Sequence, residues 1–80
     1  MAYNNSRNPL RALQNRIGQE IIVRLKDGTE YQGNLKEYDN FMNLIMSDVT
    51  EKQYKIEETT HYEELFVRGN NVLFILPEAQ

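Results

Sequence analysis

At 80 residues the chain is one small domain, near the lower limit for a self-sufficient hydrophobic core. It has no cysteine, which excludes a disulfide framework and a thiolate metal site, and no apolar run near the ~20 residues of a membrane span. The net charge of −3, with a pI near 5.0, disfavours a generic phosphate-backbone binder, whose affinity comes mostly from Lys and Arg.

The charge is unevenly placed. Residues 1–26 hold Arg7, Arg11, Arg16, Arg24 and Lys26 against Glu20 alone. Residues 51–64 hold Glu51, Glu57, Glu58, Glu63 and Glu64 against Lys52 and Lys55. One end of the molecule is expected to be basic and the other acidic. Met1-Ala2-Tyr3-Asn4-Asn5 lacks the basic-then-apolar pattern of a signal peptide, so the expected compartment is the cytoplasm, with no membrane partner.

The elements follow in chain order. Residues 1–7 are polar and are expected to be a flexible N-terminus. Asn8-Pro9 reads as a helix start: Asn caps, and proline at the first helical position has no N–H to leave orphaned. Leu10, Leu13 and Ile17 share one face at helical spacing, and Gly18 suits a left-handed stop. Residues 8–17 are therefore expected to be a two-turn helix resting on the remainder of the domain.

From Gln19 the period is two. Ile21, Val23 and Leu25 alternate with Glu20 and Arg24, and Asp27-Gly28 reads as a hairpin turn. Tyr31, Gly33 and Leu35 continue the alternation. The phase then slips to Tyr38, and with a mid-strand glycine this predicts a bulge or sharp bend. Such bends let a small sheet curl into a barrel. A third strand is expected from Met42 to about Val49. Residues 50–61 are polar with a weak pattern. Residues 62–68 read as a fourth strand, Gly69-Asn70-Asn71 as a tight turn, and Val72–Leu76 as a fifth strand ended by Pro77. The fold class expected is mainly all-β: a short N-terminal helix, then a strongly bent five-stranded antiparallel sheet over residues 19–77 forming a small open barrel.

The fifth strand is apolar at five consecutive positions, so both its faces need cover. One short helix offers little. Either the strand is buried within its own barrel, or a neighbouring subunit covers it. An apolar terminal strand without lysine guards favours edge-to-edge association, closing into a ring if the rotation closes.

Two loops carry the chemistry: Asp39-Asn40-Phe41-Met42-Asn43 and Arg68-Gly69-Asn70-Asn71. Together they offer a flat aromatic ring, a flat guanidinium and an amide edge. A single-stranded base can be sandwiched between the first two and read by the third.

The order of elements and both loops resemble the Sm and Sm-like (LSm) family. The family's first motif resembles Ile21–Asp48, with Lys26-Asp27-Gly28, Gly33 and Asp39–Asn43 in their usual order. The family's other motif is similar to Phe66-Val67-Arg68-Gly69-Asn70-Asn71-Val72. The likeness spans about residues 10–77 and is strongest to archaeal Sm-like proteins. The Arg-Gly pair ranks the bacterial Hfq branch, with its six-membered rings, lower. The resemblance implies a ring, most often of seven subunits, joined through the strands near 62–68 and 72–76. It also implies binding of uridine-rich single-stranded RNA around the pore, in RNA processing or ribonucleoprotein assembly.

Carried over residue by residue, Phe41 takes the stacking position, where the family often has histidine. Arg68 takes the opposite face of the base, because a planar guanidinium stacks and carries charge together. Asn43 reads the base edge, and Asp39 is expected to orient Asn43 without touching RNA. Gly69 is expected to permit close backbone approach and a positive φ. Asn70 stands where archaeal members commonly carry an acidic residue. Arg7 and Arg11 offer a further, less specific RNA contact on the helix face.

No enzyme is expected. His61 is the one histidine, Ser6 and Ser47 are the serines, and no nucleophile elbow or phosphate-cradling loop is present. Glu57-Glu58 and Glu63-Glu64 lack the His or Cys companions of a metal site, so neither metal nor cofactor is expected. The alternative is a ring-forming adaptor that binds protein partners without RNA, which the acidity supports and the paired loops oppose.

Overall fold

The computed structural model describes residues 9–77. Helix α1 spans Pro9–Gln14 and is followed by β1 (Glu20–Leu25), β2 (Glu30–Tyr38), β3 (Leu44–Gln53) and β4 (Ile56–Val67). A short 3-10 turn (Gly69–Asn71) leads into β5 (Val72–Pro77). The five strands form one antiparallel sheet in the order β4-β3-β2-β1-β5.

Helix α1 is shorter than the spacing predicts. It stops at Gln14, and Ile17 is 48% exposed and takes no part in the core. The stop is set by tertiary hydrogen bonds. Gly18, at φ +82°, donates its N–H to the Leu35 carbonyl at 2.8 Å, and Leu35 N–H donates to the Gln19 carbonyl at 2.9 Å. The chain leaves helical geometry to extend the pairing of β1 with β2. Leu13 is buried, and a side chain of that size contributes roughly 1.5–3 kcal/mol, which anchors a helix too short to persist alone. Asn8, the expected cap, lies outside the described residues.

The core is a single cluster of Leu13, Ile21, Val23, Leu35, Leu44, Met46, Val49 and Val67. The alternation in β1 behaves as expected: Ile21 and Val23 point inward, while Ile22 faces the other side opposite Gln32 and Leu76. The Asp27-Gly28 turn forms with Gly28 at φ +94° and its N–H on the Leu25 carbonyl at 3.0 Å.

The bend falls at Gly33. Pairing of β2 with β3 shifts register between Gln32 and Asn34 and again between Leu35 and Glu37. Opposite Gly33, Asp48 sits in the left-handed region at φ 52°. A Cβ on Gly33 would lie 2.9–3.0 Å from the backbone of Ser47, Asp48 and Val49. The missing side chain lets the bulged β3 backbone close onto β2, and the sheet curls there.

Two strand boundaries differ from those the sequence predicts. β3 begins at Leu44, not Met42, and runs on to Gln53; β4 begins at Ile56, well before residue 62. The weakly patterned segment 50–61 is therefore the outer part of a β3–β4 hairpin. Its residues are largely exposed on both faces, so no alternation marks it.

The sheet stays open between β4 and β5, its two edges. Phe66 on β4 and Leu73, Phe74 and Leu76 on β5 are exposed. The chain's own fold therefore leaves one side of the apolar fifth strand uncovered. Among the described residues no helix is long and apolar enough to cross a membrane.

Candidate RNA-binding site

The loop between β2 and β3 is closed by its own hydrogen bonds. Met42 N–H donates to the Asp39 carbonyl at 3.1 Å, and Asp39 N–H donates to the Asn43 carbonyl at 3.1 Å. Met42 takes φ 65°, the left-handed residue that a three-residue hairpin loop requires at its last position. Asp39 organises the interior of this loop. Its Oδ1 accepts the N–H groups of Phe41 at 2.8 Å and Asn43 at 3.0 Å, and its Oδ2 accepts the Asn43 side-chain amide at 2.9 Å. The hydrogen bond from the Asn43 side chain, with those from the loop backbone, holds the Asp39 carboxyl below its ordinary pKa.

The loop at 68–71 docks on the first. Gly69 N–H donates to Asn43 Oδ1 at 2.8 Å. A Cβ on Gly69 would collide with the Phe41 carbonyl oxygen and lie 2.8 Å from the Met42 carbonyl carbon. Glycine is required here for close approach. The expected positive φ is not found: among the described glycines only Gly18 and Gly28 are left-handed, and the 3-10 turn makes the reversal without one.

Asn43 thus has both ends of its amide engaged, donating to Asp39 and accepting from Gly69. A flipped amide would set N–H against N–H and oxygen against carboxylate, so one orientation is enforced. One Oδ1 lone pair and one Nδ2 proton remain for a ligand, as a rigid acceptor–donor pair.

Phe41, two residues before Asn43 in the same loop, is 79% exposed, so it does not pack into the barrel. Arg68, at the end of β4, is exposed and has no ion pair among the described residues. Asn70 is exposed in the 3-10 turn, and the structure does not bring it into the Asp39–Asn43–Gly69 network. Arg7 lies outside the described residues, as does the side chain of Arg11.

The bond from Gly69 to Asn43 is the part that sequence reasoning missed. An Asp and an Asn four positions apart, followed far along by an Arg-Gly pair, give no sign that backbone and side chain will meet. A further tie joins the loop to the first hairpin: Lys26 N–H donates to the Asn71 carbonyl at 2.9 Å.

Comparison with known proteins agrees with this fold. The model of the LSM domain matches residues 11–77. The U6 snRNA-associated Sm-like protein LSm6 of Debaryomyces hansenii is 42% identical over 59 residues, covering 74% of this chain and 68% of its own. The Sm protein of Pyrococcus abyssii, solved in complex with a uridine heptamer, superposes with a TM-score of 0.81 at 31% identity, over 89% of this chain and 99% of that one. A heptameric archaeal Sm protein superposes with a TM-score of 0.76 at 36% identity, over 86% of this chain and 98% of that one.

Proposed function

The chain belongs to the Sm-like family defined by the LSM domain, and from that premise we propose that it closes edge to edge into a ring and holds uridine-rich single-stranded RNA at loops 39–43 and 68–71. The ring is heptameric, like the archaeal Sm protein it resembles, and β4 of one subunit pairs with β5 of the next. The exposed Phe66, Leu73, Phe74 and Leu76 supply the apolar surface for that seam. The likeness to an Sm-like protein associated with U6 snRNA supports a place in RNA processing or ribonucleoprotein assembly.

The observation that carries the reading is the doubly held amide of Asn43 in a loop that also exposes the aromatic ring of Phe41. Uracil presents an N3–H donor beside carbonyl acceptors. The free Oδ1 lone pair meets the N3–H, and the free Nδ2 proton meets a carbonyl. Cytosine in the same pose sets its N3 acceptor against Oδ1, and the two repel. Phe41 and Arg68 clamp the faces of the base, while Asp39 orients Asn43 and holds the Phe41 backbone without touching the base. A ring of identical weak sites on one strand gains its affinity by avidity. Because stacking and edge contacts supply most of it, salt dependence is shallower than for a basic-groove binder.

The test compares oligouridylate and oligocytidylate binding to the wild type, Phe41→Ala and Arg68→Ala, with native mass spectrometry for the subunit number. The wild type should prefer oligouridylate, and removal of a stacking partner should cost ~1–3 kcal/mol per base. A wild type that does not bind oligouridylate at moderate salt would replace this reading with the protein-binding adaptor.

A further inference from the structure

Another feature lies away from the Asn43 edge. Between the β1–β2 turn and the tip of the β3–β4 hairpin is a cleft of about 390 Å³, lined by Arg24, Lys26, Asp27, Glu30, Lys52 and Tyr54 among others. Three cations and two carboxylates stand there, in a chain whose net charge is −3.

Both carboxylates are already engaged. Glu30 accepts Arg24 Nη2 at 2.7 Å. Asp27 Oδ1 accepts the Thr29 N–H at 2.9 Å, which keeps this carboxyl below its ordinary pKa. Lys26 and Lys52 are exposed and have no anionic partner among the described residues. Arg24 Nε has no acceptor. The neighbouring Glu51 is turned to other partners, accepting from the Tyr62 hydroxyl and the Gln53 amide, both at 2.8 Å. Tyr54 is 78% exposed, and the Lys55 ammonium stands 5.5 Å from its ring centroid. With Arg24 paired to Glu30, Lys26 and Lys52 against the ionised Asp27 leave the cleft one net positive charge beside an exposed aromatic ring. That pairing suits the phosphate and base of a nucleotide.

Its location selects the ligand. The bond from Lys26 N–H to the Asn71 carbonyl ties a residue that lines the cleft to the end of the 68–71 loop. Lys26 thus borders the 68–71 loop, and the same cleft reaches Lys52 and Tyr54 of the β3–β4 hairpin. We propose that the cleft binds a nucleotide of single-stranded RNA outside the segment held at the loops, with its phosphate on Lys26 and Lys52 and its base on Tyr54. The proposal rests on the reading of the loops as an RNA site.

The experiment uses the assembled protein, a Lys52→Ala/Tyr54→Ala double variant, and Lys52→Arg, which keeps the charge. Both altered side chains are exposed, so the fold should survive, as thermal unfolding will verify. A short oligouridylate that fills only the loop sites should bind the wild type and the double variant equally. An oligouridylate extended by several nucleotides at each end should bind the double variant about five- to tenfold more weakly. Its salt slope should fall by ~0.7 for each phosphate that no longer meets a cation. Lys52→Arg should match the wild type. Equal affinity of both proteins for the extended strand would overturn the proposal, leave the loop reading intact and point the cleft toward an acidic peptide. Equal weakening for both lengths would overturn it too, because the change would then act on the loops. A wild type that binds neither strand would overturn the loop reading and the cleft proposal together.

Discussion

The β2–β3 and β3–β4 connections use the same backbone device and end in opposite states. Each turns with one non-glycine residue in the left-handed region, Met42 at φ 65° and Lys55 at φ 67°. Such a residue costs roughly 1–2 kcal/mol. In the first loop the cost is offset by three hydrogen bonds to one aspartate and by a fourth from Gly69, across the barrel. At the hairpin tip, Tyr54 and Lys55 meet each other and little else. A left-handed turn alone therefore does not make a site. What distinguishes the 39–43 loop is another segment pressed against it, which converts a flexible amide into a fixed acceptor–donor edge. The hairpin tip has its chemistry on free side chains, suited to a looser contact.

The largest break in this contrast should come from Gly69→Ala. Its Cβ would collide with loop backbone, which cannot swing aside as a side chain can. The two loops must part, and the domain should lose about 1–3 kcal/mol on denaturant unfolding. Oligouridylate affinity should fall by roughly tenfold or more at the same time, as an Asn43 no longer held from both sides reads poorly. Wild-type affinity in Gly69→Ala would show that the loops need not touch.

A smaller and more specific effect is expected for Asp39→Ala. It keeps both stacking side chains but releases the Asn43 amide together with the Phe41 N–H, so the preference for oligouridylate over oligocytidylate should narrow more than overall binding falls. Equal weakening for both oligonucleotides would refute an orienting role. Acid tests the same interaction without mutation. Folding lowers the Asp39 pKa, so its contribution is complete above the ordinary aspartate value and is lost as pH falls through the lowered one. Affinity for oligouridylate, whose base does not protonate in this range, should stay flat from neutrality down to about pH 4 and decline only below it.

The smallest effect should be that of Tyr54→Ala on stability. An exposed side chain at an unsupported tip should change unfolding free energy by no more than about 0.5 kcal/mol, as measured by thermal melts. A larger loss would mean that the hairpin tip is anchored, and would erase the contrast with the 39–43 loop.

Much of the molecule was legible in the chain. The alternation of Ile21 and Val23, the Asp27-Gly28 turn, and the mid-strand Gly33 with the phase slip after Leu35 pointed to β1, the first hairpin and the bend in β2. The apolar run at Val72–Leu76 pointed to a strand whose outer face its own domain leaves open. Less legible was the outer β3–β4 hairpin, because residues exposed on both faces carry no period-two signal. Ile17 misled because an apolar residue at helical spacing reads as core wherever the helix is assumed to continue. The Gly18–Leu35 bond, which stops it, joins residues distant in sequence.

The site divides along the same line. Residue types alone determined which side chains can stack and which can read a base edge, because a planar ring, a guanidinium and an amide have those capacities in any fold. Only the tertiary structure decided that Asn43 would be locked in one orientation, since that requires the Gly69 backbone to arrive within 2.8 Å from the far end of β4. Local propensity acts over a few residues. The bend at Gly33 and the closure of the sheet act over the whole chain, and they turn two separate loops into one binding edge.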